Sequence, residues 1–173
     1  MKRLIAVSGL FILFVVSGGL FVSLVRVIPA GIPRTFVTLG FGVLFVGLFL
    51  WLFVARVRGI LAGRGKLWVQ LLLIALNVAL LILAFASIYQ KVGIQDNTQS
   101  PATITTDFFI SVYYSVVTFT TLGYGDFYPI GLARPLAALQ ALTGYLILGI
   151  LASVGVSILD PREELTVEDA EGN

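Results

Sequence analysis

Between Thr118 and Asp126 the chain reads Thr-Phe-Thr-Thr-Leu-Gly-Tyr-Gly-Asp, an order that suits neither an ordinary helix nor a core strand. Gly123 and Gly125 take positive φ without steric cost. Alternating them with Leu122 and Tyr124 lets successive carbonyls point the same way instead of to opposite sides. The product is a ladder of oxygens from Thr121, Leu122, Gly123, Tyr124 and Gly125, with the Thr121 hydroxyl at its foot. One such strand cannot enclose an ion. Four symmetry-related copies form rings of carbonyls that replace the hydration shell of a monovalent cation, so the stretch predicts a homotetramer.

The rest of the chain supplies a setting in which such a ladder is usable. Of 173 residues, 58% are hydrophobic and 12% charged, against about 25% charged in soluble domains. The expected surroundings are therefore a lipid bilayer. Leu4 to Val25 carries no charge and exceeds the roughly 20 residues needed to cross the hydrocarbon core. It reads as a first span. The rival reading is a secretory signal peptide cut near Ser17-Gly18-Gly19. The segment Ile28-Pro29-Ala30-Gly31-Ile32-Pro33 breaks helix, because each proline lacks a donor and restricts the residue before it. A short loop is expected there. Phe36 to Val54 is a second span, followed by Arg56 and Arg58 at its end, where snorkelling to the interface is the simplest account. These two segments form a unit over residues 1–66.

A second unit covers residues 67–159. Leu67 to Ile88 is a third span, with Asn77 at its middle facing another helix or tolerated as a single polar residue. Lys91 to Thr106 is polar and reads as a solvent-exposed loop. Phe108 to Thr118 is apolar but too short to span, which fits a re-entrant helix capped by Thr106, with Asp107 in its first turn. Tyr113, Tyr114 and Tyr124 read as a packed collar. Phe127 to Gly131 leads back to the surface, and Pro135 to Leu159 is the fourth span. Its Gly144 and Gly149 serve either close packing or bending. Residues 160–173 are an acidic tail. The expected fold is an all-α integral membrane protein of four transmembrane helices with a re-entrant helix between the third and fourth.

Thr121-Leu122-Gly123-Tyr124-Gly125-Asp126, preceded by Thr118-x-Thr120, resembles the signature of the potassium-channel pore family, with Leu122 where valine or isoleucine is commoner. The likeness runs roughly from Leu67 to Leu159. It implies a selectivity filter in which oxygens of Thr121, Leu122, Gly123 and Tyr124, and the Gly125 carbonyl beyond them, meet potassium. Tyr113, Tyr114, Thr118 and Asp126 would support the filter. Gly144 stands where the family's inner helix carries a gating hinge, and Gly149 offers a second flexible point. If Gly144 bends, Leu148, Ala152 and Val156 form a stripe at helical spacing that lines a cavity. The resemblance implies passive potassium conduction, with a non-selective monovalent cation channel or a potassium transporter subunit as alternatives. Potassium is then the permeant ion, and no cofactor is expected.

Placing both termini and the loop after the second span in the cytoplasm collects Lys2, Arg3, Arg56, Arg58, Arg64, Lys66 and Arg162 there. That leaves the filter loop outside, as the resemblance requires. With no cysteine or histidine, the chain has neither thiolate metal sites nor imidazole catalysis. Its spans contain no carboxylate, so enzymatic activity is not expected. No basic stripe with interleaved aromatics suggests nucleic acid, and the tail is too short for a fused ligand-binding domain. No span holds the internal arginine ladder of a voltage sensor.

Overall fold

The computed structural model describes Val16, residues 32–63 and residues 66–159. The expected first span, the signal-peptide alternative and the acidic tail therefore lie outside the described residues, apart from Val16. Within them the chain forms helices α1 (Ile32–Leu61), α2 (Leu67–Val92), α3 (Phe108–Phe119) and α4 (Ala133–Leu159). Short strands β1 (Ile94–Asp96), β2 (Thr103–Thr105) and β3 (Phe127–Pro129) complete the order. Three of the described helices, α1, α2 and α4, are long and apolar enough to cross a membrane.

Helix α1 starts earlier and ends later than the apolar run from Phe36 to Val54 predicts. Pro33 falls in its first turn, where a missing N–H costs nothing because those donors have no intrahelical partner. At the other end the inward face continues past Val54. Phe45, Phe49, Leu52, Phe53, Arg56 and Val57 recur at helical spacing, and all are buried. Arg56 is only 1% exposed, whereas Arg58 and Lys66 are exposed. Snorkelling accounts for Arg58 but not for Arg56, which lies on the packed face. Phe45 of α1 meets Phe85 of α2 edge to face at 6.3 Å, and Phe49 stacks on Phe53. Because lipid tails are as apolar as these rings, such contacts stabilise through close packing rather than through release of water.

Helix α2 buries Ile74, Asn77, Leu81, Phe85, Ile88 and Tyr89 along one stripe. Asn77 is thus inside the packing rather than toward lipid, though its Nδ2 has no hydrogen-bond partner among the described residues. The helix stops at Gly93, whose φ of 86° favours glycine and whose N–H donates to the Tyr89 carbonyl at 2.8 Å. A β-carbon there would also come within 2.7 Å of Ile104 on β2.

The polar segment from Lys91 to Thr106 is not the open loop its composition predicts. It contributes β1 and β2 to a three-stranded antiparallel sheet of order β2-β1-β3. Gln95 stands opposite Ile104 on one side and Tyr128 on the other. Polarity hid the sheet because its strands have three residues each, too few for a period-two pattern to register. The 97/126 pair is hydrogen-bonded through Asn97 N–H and the Asp126 carbonyl at 2.9 Å. By alternation the Ile94/Pro129 pair is a non-hydrogen-bonded one, where proline's missing donor is no loss.

Helix α3 has 12 residues and is capped by Asp107 rather than Thr106. Asp107 has extended backbone angles, and its Oδ1 accepts from the Ile110 N–H at 2.9 Å. The Asp107 carboxylate thus meets a donor that the first turn leaves without an intrahelical partner. Helix α3 lies against both α2 and α4. Tyr114 packs edge to face on Tyr89 of α2, with ring centres 4.8 Å apart.

Candidate functional site

The stretch from Thr121 to Gly125 leaves the C-terminal end of α3 and is exposed along its whole length. Its φ values are positive at Thr121 (58°), Gly123 (57°) and Gly125 (82°), so the sign inverts at every second residue. Gly123 and Gly125 were expected to do this; Thr121 was not. A β-branched residue at such a φ is a true outlier, and the left-handed conformation costs about 1–2 kcal/mol. Among the described residues Thr121 is the one non-glycine with positive φ. In a chain that alternates hands, amide N–H groups gather on one side. The carbonyls are left to the other.

Two sets of bonds hold the ends of the stretch. At its start, Thr121 N–H donates to the Thr118 carbonyl at 3.1 Å and Leu122 N–H to the Val117 carbonyl at 3.0 Å. The turn is thereby folded back on the last carbonyls of α3. At its end, the Tyr113 hydroxyl donates to Asp126 Oδ2 at 2.6 Å, and Asp126 Oδ1 accepts from Phe127 N–H at 3.0 Å. Asn97 adds the backbone bond described above and a longer contact from Nδ2 to the Gly125 carbonyl, 3.5 Å. Between those ends, nothing beyond the adjoining residues lies within 4 Å of where a β-carbon on Gly123 would stand. A groove separates the stretch from α4, with Thr121, Gly123 and Gly125 on one side and Ala137, Ala138 and Ala141 on the other.

The residues predicted to support the stretch fall into two groups. Tyr113 and Asp126 meet directly, and Tyr113 also packs edge to face on Phe127. Tyr114 is buried and faces Tyr89 instead, while Tyr124 is 67% exposed. The three tyrosines do not form one collar within a single chain. Thr118 contributes its carbonyl to the turn at Thr121.

Along α4, Gly144 and Gly149 differ. A β-carbon on Gly144 would overlap the Phe119 carbonyl oxygen of α3, whereas nothing lies within 4 Å of the same atom on Gly149. Gly144 therefore lets two helices touch, whatever bending it also permits. Leu148, Ala152 and Val156 are exposed.

Sequence reasoning missed a buried polar chain behind the stretch. The Tyr89 hydroxyl of α2 donates to Gln140 Oε1 of α4 at 2.7 Å. Gln140 Nε2 donates to Ser115 Oγ at 2.7 Å and to the Ser115 carbonyl at 3.2 Å on α3. Ser115 Oγ donates to the Ile82 carbonyl of α2 at 2.8 Å. Gln140 in an otherwise apolar run was the available signal, of the same kind as Asn77.

On the sheet, Asp96 is buried and accepts from Thr98 N–H at 2.8 Å, Thr98 Oγ1 at 2.6 Å and Gln99 Nε2 at 3.1 Å. The hydrogen bond from the Thr98 hydroxyl is the main cause that holds its carboxyl below the ordinary aspartate range.

Residues 77–160, just under half of the chain, match the protein family described as ion channel. The matched stretch holds most of α2, the sheet, α3, the Thr121–Gly125 stretch and α4. No curated protein and no solved structure matches the chain.

Proposed function

We propose that the chain is one of four identical subunits of a potassium-selective channel, conducting passively along an axis lined by the Thr121–Gly125 stretches. The observation that carries this reading is the alternation of φ sign at Thr121, Gly123 and Gly125. That alternation lets consecutive carbonyls face one side, and four copies of that side make stacked oxygen rings that substitute for the water around a dehydrated cation. Thr121, Leu122, Gly123 and Tyr124 supply the inner ligands, and the Gly125 carbonyl lies at the outer end. The exposure of the stretch supports the same reading, because a single chain leaves this costly backbone without a facing partner. Irregular backbone at membrane depth is tolerated where it lines water or is buried by protein. Helix α3 ends at the foot of the ladder, and its negative C-terminal pole favours a cation there. α2 and α4 frame the pore, the filter loop lies outside the cell, and Leu148, Ala152 and Val156 line the approach from within.

Reconstitution of the purified chain in liposomes under a potassium gradient tests this. The expected reversal lies at the potassium equilibrium potential, with sodium excluded. Equal passage of sodium and potassium would replace the reading with a non-selective cation channel. Absence of any ion flux from folded tetramers would overturn it altogether.

A further inference from the structure

We propose that Gln140 is a positioning residue for the filter, acting through Ser115 on α3 and Tyr89 on α2; this deepens the channel reading and rests on it. Gln140 and Gly144 lie one helical turn apart on α4, and Ser115 and Phe119 lie one turn apart on α3. Each member of the first pair meets one of the second: Gln140 bonds Ser115, and Gly144 abuts the Phe119 carbonyl. Two contacts at matching spacing fix both the axial height and the rotation of α3 against α4. A hydrogen bond is directional where an apolar contact is not, so Gln140 sets a register that the surrounding alanines and leucines leave free to slide.

The register reaches the ladder through few atoms. Two residues beyond Ser115, the Val117 carbonyl accepts from Leu122 N–H, and the Thr118 carbonyl accepts from Thr121 N–H. A shift of α3 therefore moves the two peptide groups at the foot of the filter. Gln140 itself is held from its other side by Tyr89, and Ser115 closes the loop on the Ile82 carbonyl. Tyr89, Ser115 and Gln140 are each 0% exposed. Because all three are fully buried, removal of one member leaves the others unsatisfied, and α3 relaxes to serve them.

The test uses the full chain in liposomes with Gln140→Leu, Tyr89→Phe, Ser115→Ala and the Tyr89→Phe/Gln140→Leu double variant. Tetramer content is measured by size exclusion, thermal stability by unfolding, and permeability by bi-ionic reversal potentials. Each single variant is expected to raise sodium permeability relative to potassium by about fivefold. The double variant should do little more than Gln140→Leu alone, because the two side chains act as one unit. Tyr89→Phe and Ser115→Ala remove one hydroxyl each, and carry the test where Gln140→Leu fails to assemble. Lower thermal stability with an unchanged permeability ratio in assembled variants would overturn the proposal and leave the channel reading intact. A wild-type chain without selective potassium flux would fail the channel reading, and the proposal with it.

Discussion

The Thr121–Gly125 stretch and the seam behind it are opposite kinds of structure. The stretch is exposed, strained at Thr121 and held only at its ends. The seam, built from Ser115, Phe119, Gln140 and Gly144, is fully packed within one chain, and the Ser115 and Gln140 side chains are hydrogen-bonded there. One chain thus packs the seam completely and leaves the Thr121–Gly125 stretch without a facing partner. The lesson is that damage to the stretch should act on conduction with the fold retained, whereas damage to the seam should reach conduction through the fold.

The largest effect is expected at Gly123. Alanine there meets open space, so the penalty is confined to the backbone, about 1–2 kcal/mol for holding a β-carbon at positive φ. Backbone that relaxes to negative φ turns a carbonyl off the ion path. On the proposed channel reading, potassium flux should fall to the background of empty liposomes while the tetramer still elutes at its normal position. Loss of the tetramer would break the contrast, since it would make the stretch part of the scaffold.

Gly144 comes next. Alanine there drives a methyl into the Phe119 carbonyl, and relief requires α3 and α4 to separate. Overpacking of this kind costs about 1–3 kcal/mol. Gly149→Ala meets nothing and should stabilise the helix by up to about 1 kcal/mol, through propensity alone. Unfolding in denaturant with matched detergent separates the two. Equal stabilities would return Gly144 to a role in bending, and a changed open probability in Gly149→Ala would locate flexibility there.

This pair of glycines also marks how far the sequence could be read. The spans from Phe36 onward were legible because long apolar runs have one solution in lipid, and the positive φ at Gly123 and Gly125 because alternating glycine has few uses. That Gly144 rather than Gly149 seats a neighbouring helix was not legible, because what separates them is a carbonyl 25 residues earlier in the chain. The polarity of Gln140 in an apolar run was visible, but its partners were not, because they lie on α2 and α3. The sheet escaped because Ile94, Thr103 and Thr105 sit among turn-forming residues, and only pairing with Phe127–Pro129 makes strands of them. Arg56 was assigned to the interface from charge alone; its place on the buried face of α1 depends on a neighbour that periodicity does not name.

A smaller effect is expected at the outer end of the stretch. Tyr113→Phe removes the hydroxyl that donates to Asp126 Oδ2. Hydrogen bonds to a charged group contribute about 1.5–3 kcal/mol when well formed, but this one is exposed, so the lower end of that range applies. The ends of the stretch are then held unequally. Conduction should begin normally and decay faster under sustained gradient than in wild type. Decay at the wild-type rate would assign the outer anchor to Asn97 and the sheet instead.

The smallest effect concerns Asp96, which lies on β1 one residue before Asn97. Its carboxyl is held below the ordinary aspartate range, chiefly by the Thr98 hydroxyl, so the folded state binds a proton less readily than the unfolded chain. Unfolded aspartate titrates near about pH 3.9. The stabilisation from Asp96 is therefore complete above that value, and is lost as pH falls through the lower, folded one. At neutral pH the sheet should be insensitive to proton concentration. Asp96→Asn keeps the shape and removes the charge, so comparison of the two proteins isolates the Asp96 carboxylate. The difference in melting temperature between wild type and Asp96→Asn should hence be constant from neutral pH down to about pH 5 and narrow below about pH 4. A gap that persists undiminished in acid would mean that the turn depends on hydrogen-bond geometry rather than on the charge. In that case the β1 end of the sheet would hold Asn97 against the Asp126 carbonyl without any electrostatic contribution from Asp96.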